Sequence, residues 1–82
     1  MQITVKLFAL MREKAGTDTV ALEVPDGANL MQAVAVLVRH YPALAPYMSN
    51  TRFSLQMDFV DPATMLAQGD ELALIPPVSG GV

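Results

Sequence analysis

Cysteine is absent from this 82-residue chain, and histidine occurs once, as His40. Without cysteine there is no disulfide, no thiolate zinc site, no iron–sulfur site and no catalytic thiol. One histidine does not build a multi-histidine metal site, so we expect no metal. The net charge is −3, so basic residues show no excess that would indicate a nucleic-acid partner. These absences exclude most chemistry that side chains perform.

Long apolar runs are also absent. No stretch approaches the roughly 18 uninterrupted apolar residues of a membrane span. The first ten residues alternate polar and apolar types, unlike a signal peptide. We therefore predict a cytoplasmic protein without a membrane partner. Hydrophobic residues make up 52% of the chain, which indicates a folded domain rather than a disordered one.

The first third of the chain has the pattern of a strand pair. Residues 3–10 alternate in the manner of a strand, and residues 19–24 form a second short strand. Gly16 lies in the polar segment between them and allows the chain to reverse. This order predicts an antiparallel hairpin with a long loop.

One helix is predicted after the hairpin. Asn29 has the character of an N-cap, and Gln32 lies three residues later, the spacing of a capping box. Pro42 ends the helix near His40 or Tyr41. Apolar residues with helical spacing form its buried stripe: Leu30, Ala33, Val34, Leu37 and Tyr41.

Two further strands complete the predicted domain. Residues 43–50 form a connection, residues 53–59 alternate as a third strand, and residues 71–75 form a short apolar fourth strand. The order ββαββ predicts an α+β fold in which one helix packs on one face of a mixed sheet. A β-grasp (ubiquitin-like) arrangement satisfies this order, with the domain at residues 1–75.

Residues 76–82 are predicted to leave the sheet as an extended, flexible tail. Pro76 and Pro77 lack the N–H that a strand ladder needs. Gly80 and Gly81 carry no side chain, so the tip can enter a narrow channel in a partner. Seven residues span at most about 23–25 Å. The alternative is an ordinary disordered terminus.

Two segments identify a family resemblance. The first is Phe-Ala-Leu-Met-Arg-Glu-Lys-Ala-Gly at residues 8–16. The second runs from Gly-Asp-Glu at residues 69–71 to Pro-Pro-Val-Ser-Gly-Gly at residues 76–81, and it is the more specific. With these segments the chain resembles the small subunit of molybdopterin synthase, a ubiquitin-like sulfur carrier.

The resemblance implies a cycle at the C-terminus. A ubiquitin-activating-like adenylyltransferase uses ATP to adenylate the carboxylate of Gly81, and a sulfur donor protein converts it to a thiocarboxylate. The tail then enters the large subunit, where sulfur passes to a cyclic pterin precursor to form the dithiolene of molybdopterin. The residues that insert are Pro76, Pro77, Val78, Ser79 and Gly80. The chain needs no bound cofactor and is not catalytic alone.

Val82 departs from the family pattern, in which the carrier ends at the second glycine. A β-branched terminal residue suits a glycine-fitted site poorly. Three explanations stay open: removal of Val82 by a protease, a longer fusion to the large subunit, or an inactive carrier. Gln56 also stands where the family more often has Asn, and we expect it to affect a local turn or contact.

A docking surface is predicted around the root of the tail. The resemblance places Arg12 near the tail as a contact to the large subunit, and the alternative is an ordinary solvated arginine. Phe8, Phe59 and Ile75 are candidates for an exposed apolar patch there. The alternative for all three is core packing, above all for Phe59, which shares a face of the predicted strand with Phe53. Residues 53–82 carry four acids and no base, which predicts either steering to a basic partner cleft or simple solubility.

Two other functions remain as alternatives. A thiazole-synthesis type of sulfur carrier has the same fold and the same Gly-Gly end. A ubiquitin-like binding module without covalent chemistry is favoured by the terminal Val82. An independent enzyme is disfavoured, because the sequence shows no nucleophile–base pair.

Overall fold

The computed structural model describes residues 1–76, which form a five-stranded mixed sheet with one main helix. Further elements are a short helix after the first strand and a 3₁₀ helix after the main one. The elements in chain order are β1 (Gln2–Leu7), α1 (Ala9–Ala15), β2 (Thr19–Glu23), α2 (Leu30–His40), the 3₁₀ helix (Pro42–Asn50), β3 (Arg52–Leu55), β4 (Asp58–Val60) and β5 (Glu71–Ile75).

The strands lie in the order β2-β1-β5-β3-β4. β1 and β5 are parallel, and the other neighbouring pairs are antiparallel. β5 therefore lies in the middle of the sheet, although it is the last strand in sequence. The predicted α+β class with a mixed sheet is confirmed, with one strand more than the sequence pattern indicated.

The core lies between the sheet and α2. Alternate residues of the central strands point into it, because successive side chains of a strand face opposite ways. In β5 these are Leu72 and Leu74, which are 1% and 0% exposed. From β1, β2 and α2 the core receives Ile3, Val5, Leu7, Val20, Leu22, Leu30, Ala33 and Leu37.

α2 begins and ends as the sequence predicts. The backbone N–H of Gln32 donates to Asn29 Oδ1 at 2.9 Å, and the backbone N–H of Asn29 donates to Gln32 Oε1 at 2.8 Å. This reciprocal capping box is present as expected. The helix ends at His40 and Pro42 opens the 3₁₀ helix, so the predicted connection has regular structure of its own.

The prediction of one strand from residue 3 to residue 10 is wrong. β1 ends at Leu7, and Ala9 takes a φ of +51°, which breaks the strand and starts α1. α1 turns Met11 into the core, where it is 0% exposed. Gly16 ends α1 with a φ of +78°, so the predicted reversal at this glycine is confirmed.

The single strand predicted for residues 53–59 is also wrong. Gln56 and Met57 have φ values of +51° and +71°, so the chain reverses at these two residues and forms the β3–β4 hairpin. Two central residues with positive φ are typical of a type I′ turn. Phe59 consequently does not share a core face with Phe53. It is 66% exposed, and core packing of Phe59 is excluded.

β5 ends at Ile75, the last residue of the predicted domain. Of the predicted tail, only Pro76 belongs to the described residues, so the tail and its boundary stay predictions. Within residues 1–76, no helix has the length and apolar character needed to cross a membrane.

Candidate docking face

The sheet has an open face opposite α2, and β5 crosses its centre. Because Leu72 and Leu74 point into the core, Glu71, Ala73 and Ile75 point to the open side. Register fixes their neighbours: Lys6 of β1 and Ser54 of β3 both pair with Ala73. The open face therefore carries a row of side chains that leads to the point where the tail begins.

A shallow concavity of about 410 Å³ lies on this face. Its walls combine large apolar side chains with a few polar groups, and it ends at the last residue of β5. We call its lining residues the docking face: Lys6, Phe8, Ser54, Met57, Phe59, Glu71, Ala73 and Ile75.

The structure brings together three of the four residues predicted as interface. Phe8, Phe59 and Ile75 all line the docking face. Phe8 is 48% exposed and Phe59 is 66% exposed, which is unusual for phenylalanine. Clustered exposed aromatics of this kind mark interaction surfaces more often than isolated ones do.

Arg12 is not among the described residues that line the docking face. It lies in the last turn of α1, with its side chain exposed. A cation at this end of a helix interacts favourably with the helix dipole. The structure therefore accounts for Arg12 locally, and its role as a partner contact stays a prediction.

Arg52 is a residue of this region that sequence reasoning missed. Register pairs it with Ile75, and its guanidinium carbon lies 5.7 Å from the centroid of the Phe59 ring, a cation–π arrangement. The period of two in β3 places Arg52 on the same face as Ser54. A single strand over residues 53–59 separates Phe59 from Arg52, so the alternation of the sequence does not predict their contact.

Gln56 joins the turn of the hairpin to the start of β5. Its Oε1 accepts the backbone N–H of Glu71 at 2.9 Å, and its own N–H donates to the carbonyl of Glu71 at 3.3 Å. The expectation that Gln56 acts in a local turn is confirmed. This contact holds Met57, which is 93% exposed, at the rim of the docking face.

The acidic residues between residues 53 and 76 lie at different positions in the fold. Glu71 is the first residue of β5, about 13 Å along the strand from Ile75, and Asp70 directly precedes the strand. Asp61 follows β4, and its carboxylate accepts the N–H of Ala63 at 2.8 Å. The acidic stretch of the sequence is therefore not one acidic surface around the root of the tail.

A larger concavity lies elsewhere, between α2 and the 3₁₀ helix, with a volume of about 570 Å³. Its lining has no ionisable group, and its polar side chains are Ser49 and Thr51. The Thr51 hydroxyl donates to the carbonyl of Tyr47 at 2.6 Å and is thus already engaged. The apolar lining residues are Met31, Val34, Ala35, Val38, Ala45, Met48, Phe53 and Pro62.

The docking face contains few polar groups. Among residues 1–76, no group of three or more His, Cys, Asp or Glu side chains is placed to hold a metal ion. The docking face has one cation, one carboxylate and one hydroxyl among apolar groups. The predicted tail residues Pro77, Val78, Ser79, Gly80, Gly81 and Val82 lie outside the described part of the chain.

Comparison with known proteins assigns the chain to a family. The family model described as the ThiS family matches residues 5–81. The chain belongs to the ThiS family. The molybdopterin synthase sulfur carrier subunit of Chlamydomonas reinhardtii is 41% identical, and the match covers 99% of this chain and 100% of that protein. The resemblance stated from the sequence is thereby confirmed.

Two further similarities extend the assignment. Small archaeal modifier protein 1 of Haloferax volcanii is 38% identical over 93% of this chain and 97% of that protein. The crystal structure of SAMP1 from Haloferax volcanii has a TM-score of 0.91 and 34% identity, and it covers 99% of this chain and 100% of that chain. The β-grasp fold predicted for this ThiS-family chain is confirmed.

Proposed function

We propose that this chain is the sulfur-carrier subunit of a molybdopterin synthase. The observation that carries the proposal is the match to the algal sulfur carrier subunit along the whole of both chains. The docking face supports it, because a carrier must present a binding surface beside the segment that it delivers. Phe8, Phe59 and Ile75 line the docking face, and in this proposal they contact the partner.

In the proposed cycle, the reacting group is the main-chain carboxylate of Gly81, after loss of Val82 or of its continuation. A carboxylate is a poor electrophile, so an adenylyltransferase first joins it to AMP from ATP with release of pyrophosphate. A sulfur donor protein then displaces AMP and leaves a thiocarboxylate. Residues 76–80 carry this group into the large subunit, which transfers the sulfur to a cyclic pterin precursor.

In this scheme the side chains of the carrier need not perform the chemistry. Activation, sulfur loading and transfer are performed by other proteins, so the chain itself supplies binding and reach. The partners are the large subunit, the adenylyltransferase and the sulfur donor, and the expected compartment is the cytoplasm. The carrier binds no cofactor in this scheme, and ATP is consumed by the activating enzyme.

The experiment that tests the proposal is the mass of the intact protein after sulfur loading. A chain ending at Gly81 is incubated with the adenylyltransferase, ATP and a sulfide source. We expect the mass increase that accompanies replacement of one carboxylate oxygen by sulfur. The chain ending at Val82 is treated in parallel and should stay unmodified, and an unchanged mass of the Gly81 form would rule out the proposal.

A second candidate function is a modifier of other proteins, favoured by the 38% identity to small archaeal modifier protein 1. After activation, a modifier becomes attached to target proteins, whereas a carrier gives up sulfur and stays free. Denaturing electrophoresis of the activated chain with a cell extract separates the two. Attachment to several proteins without sulfur loading would favour the modifier.

The two alternatives from the sequence have their own tests. Co-purification with a thiazole synthase instead of a molybdopterin synthase large subunit would favour a thiazole-type carrier. A binding module without covalent chemistry would keep its function when residues 80–82 are deleted. The proposed carrier loses all sulfur transfer in that deletion.

A further inference from the structure

Arg52 lies beside the last residue of β5. In the β3–β5 ladder it pairs with Ile75, the last residue before Pro76. Neighbouring strands are separated by about 4.8 Å, so the backbone of Arg52 is beside the root of the tail. No other cation of β3 or β5 is available, because these strands contain Arg52 as their one basic residue.

The Phe59 ring supports the Arg52 side chain from one side. The guanidinium carbon is 5.7 Å from the ring centroid. A guanidinium that stacks on a ring keeps the N–H groups at its edge available for a second partner. Arg52 is not among the lining residues of the docking face but lines a neighbouring concavity of about 340 Å³. Phe59 lines both, so the cation lies next to the docking face.

Within the described part of the chain, no carboxylate lies within the 4.0 Å of an ion pair with Arg52. The one ion pair found in residues 1–76 joins the N-terminal ammonium to Asp26 at 3.1 Å. Asp61 is the acid that follows β4, and its carboxylate is engaged with the N–H of Ala63. Glu71 lies at the other end of β5 from the position that pairs with Arg52.

We propose that Arg52 is a specificity-determining residue that binds a carboxylate of the protein receiving the tail. The inference rests on the proposed function, since it assigns the chemistry of that partner's surface. A planar guanidinium with several donors matches a carboxylate in a two-point contact. The apolar residues Phe8, Met57 and Ile75 suit a protein surface better than a free anion, because they fit apolar side chains around the charged contact.

The test measures binding of the full chain and its variants to a purified molybdopterin synthase large subunit by calorimetry. Arg52→Leu removes the charge and keeps an apolar group against Phe59. Arg52→Glu reverses the charge. Arg52→Lys keeps the positive charge but lacks the planar guanidinium. Arg39→Leu and Arg39→Glu are the matched controls, because Arg39 is an exposed arginine of α2 on the other side of the sheet.

We expect Arg52→Leu to weaken binding by about tenfold, Arg52→Glu to weaken it further, and Arg52→Lys to recover part of the loss. The two Arg39 variants should stay within about twofold of the original chain. The affinity of the Arg52→Leu chain should also depend less on salt concentration. Circular dichroism melting curves check that all variants are folded.

Equal effects at Arg52 and Arg39, with binding of the original chain intact, would overturn this inference alone. Failure of the chain to bind any molybdopterin synthase large subunit, both as the original chain and as the form ending at Gly81, would overturn the proposed function and the inference together. A third arm titrates the isolated chain with inorganic phosphate. Saturable phosphate binding that disappears in Arg52→Leu would show a site for free anions and would overturn the assignment to a partner carboxylate.

Discussion

At Met57 a long side chain occupies a backbone conformation that favours glycine. Its φ is +71°, in the left-handed region, where a side chain costs about 1–2 kcal/mol. The side chain is 93% exposed, so its packing contacts do not offset this cost in stability. Met57 thus lowers the stability of the turn while it presents an apolar side chain at the rim of the docking face, and strained residues of this kind occur often at functional sites.

We therefore expect Met57→Gly to raise the free energy of unfolding by roughly 0.5–1 kcal/mol, since glycine adopts positive φ without strain. Met31→Gly is the matched control. Met31 is also an exposed methionine, at 58%, but it lies in α2, where glycine should lower stability. Urea denaturation of both variants checks the opposite signs, and a loss of stability in both would contradict the account of the turn.

α1 contacts the core through one fully buried side chain. Met11 is 0% exposed, whereas its neighbour Leu10 is 39% exposed. A short helix gains little from its own hydrogen bonds, so the burial of Met11 fixes it against the core. The opposite exposure of two adjacent apolar residues allows a sharp comparison.

Met11→Ala should cost about 2–5 kcal/mol of unfolding free energy, because it leaves a cavity in the core. Leu10→Ala should change stability by about 0.5 kcal/mol or less. Chemical denaturation followed by circular dichroism measures both. Similar losses in the two variants would contradict the role of Met11 as the contact that fixes α1 to the core.

The elements differ in how well the sequence predicts them. The bounds of α2 are predicted correctly, because its cap at Asn29 is a local signal. Of the predicted buried stripe, Leu30, Ala33 and Leu37 are buried, whereas Val34 and Tyr41 are half-buried. The missed features are α1 and the β3–β4 hairpin. Both depend on positive φ at residues other than glycine, namely Ala9, Gln56 and Met57. Alternation of apolar residues continues through these positions, so a pattern-based prediction extends each strand across the break.

The residues of the candidate site also differ in how well the sequence predicts them. Phe8, Phe59 and Ile75 could be predicted because family motifs and apolar character mark them. Arg52 could not, since its contact with Phe59 exists only once the hairpin folds. Contacts across a hairpin depend on register, and register depends on the turn.

For the whole molecule, the central distinction is between residues that hold the fold and residues that bind. The core packs against α2, and the docking face lies on the other side of the same sheet. Substitutions on the two faces should therefore have separable effects. Because the open face buries little in the free chain, its aromatics can be changed without unfolding the domain.

Phe59→Ala tests this separation. We expect it to weaken binding to a molybdopterin synthase large subunit by about tenfold or more, since exposed aromatics at interfaces commonly carry much of the binding energy. The melting temperature should change little. Met65→Ala is the control, because Met65 is 63% exposed and is not among the described residues of the docking face. Equal affinity of both variants would place the interface elsewhere.

The proposed function of the whole molecule is to carry sulfur to a pterin. The most direct measurement is a single-turnover reaction of the sulfur-loaded chain ending at Gly81 with the large subunit and the cyclic pterin precursor. Each loaded chain carries one sulfur and a dithiolene contains two, so we expect one molybdopterin dithiolene for every two loaded chains, with return of each chain to its carboxylate mass. A loaded chain that binds the large subunit but keeps its sulfur and yields no dithiolene would contradict the account.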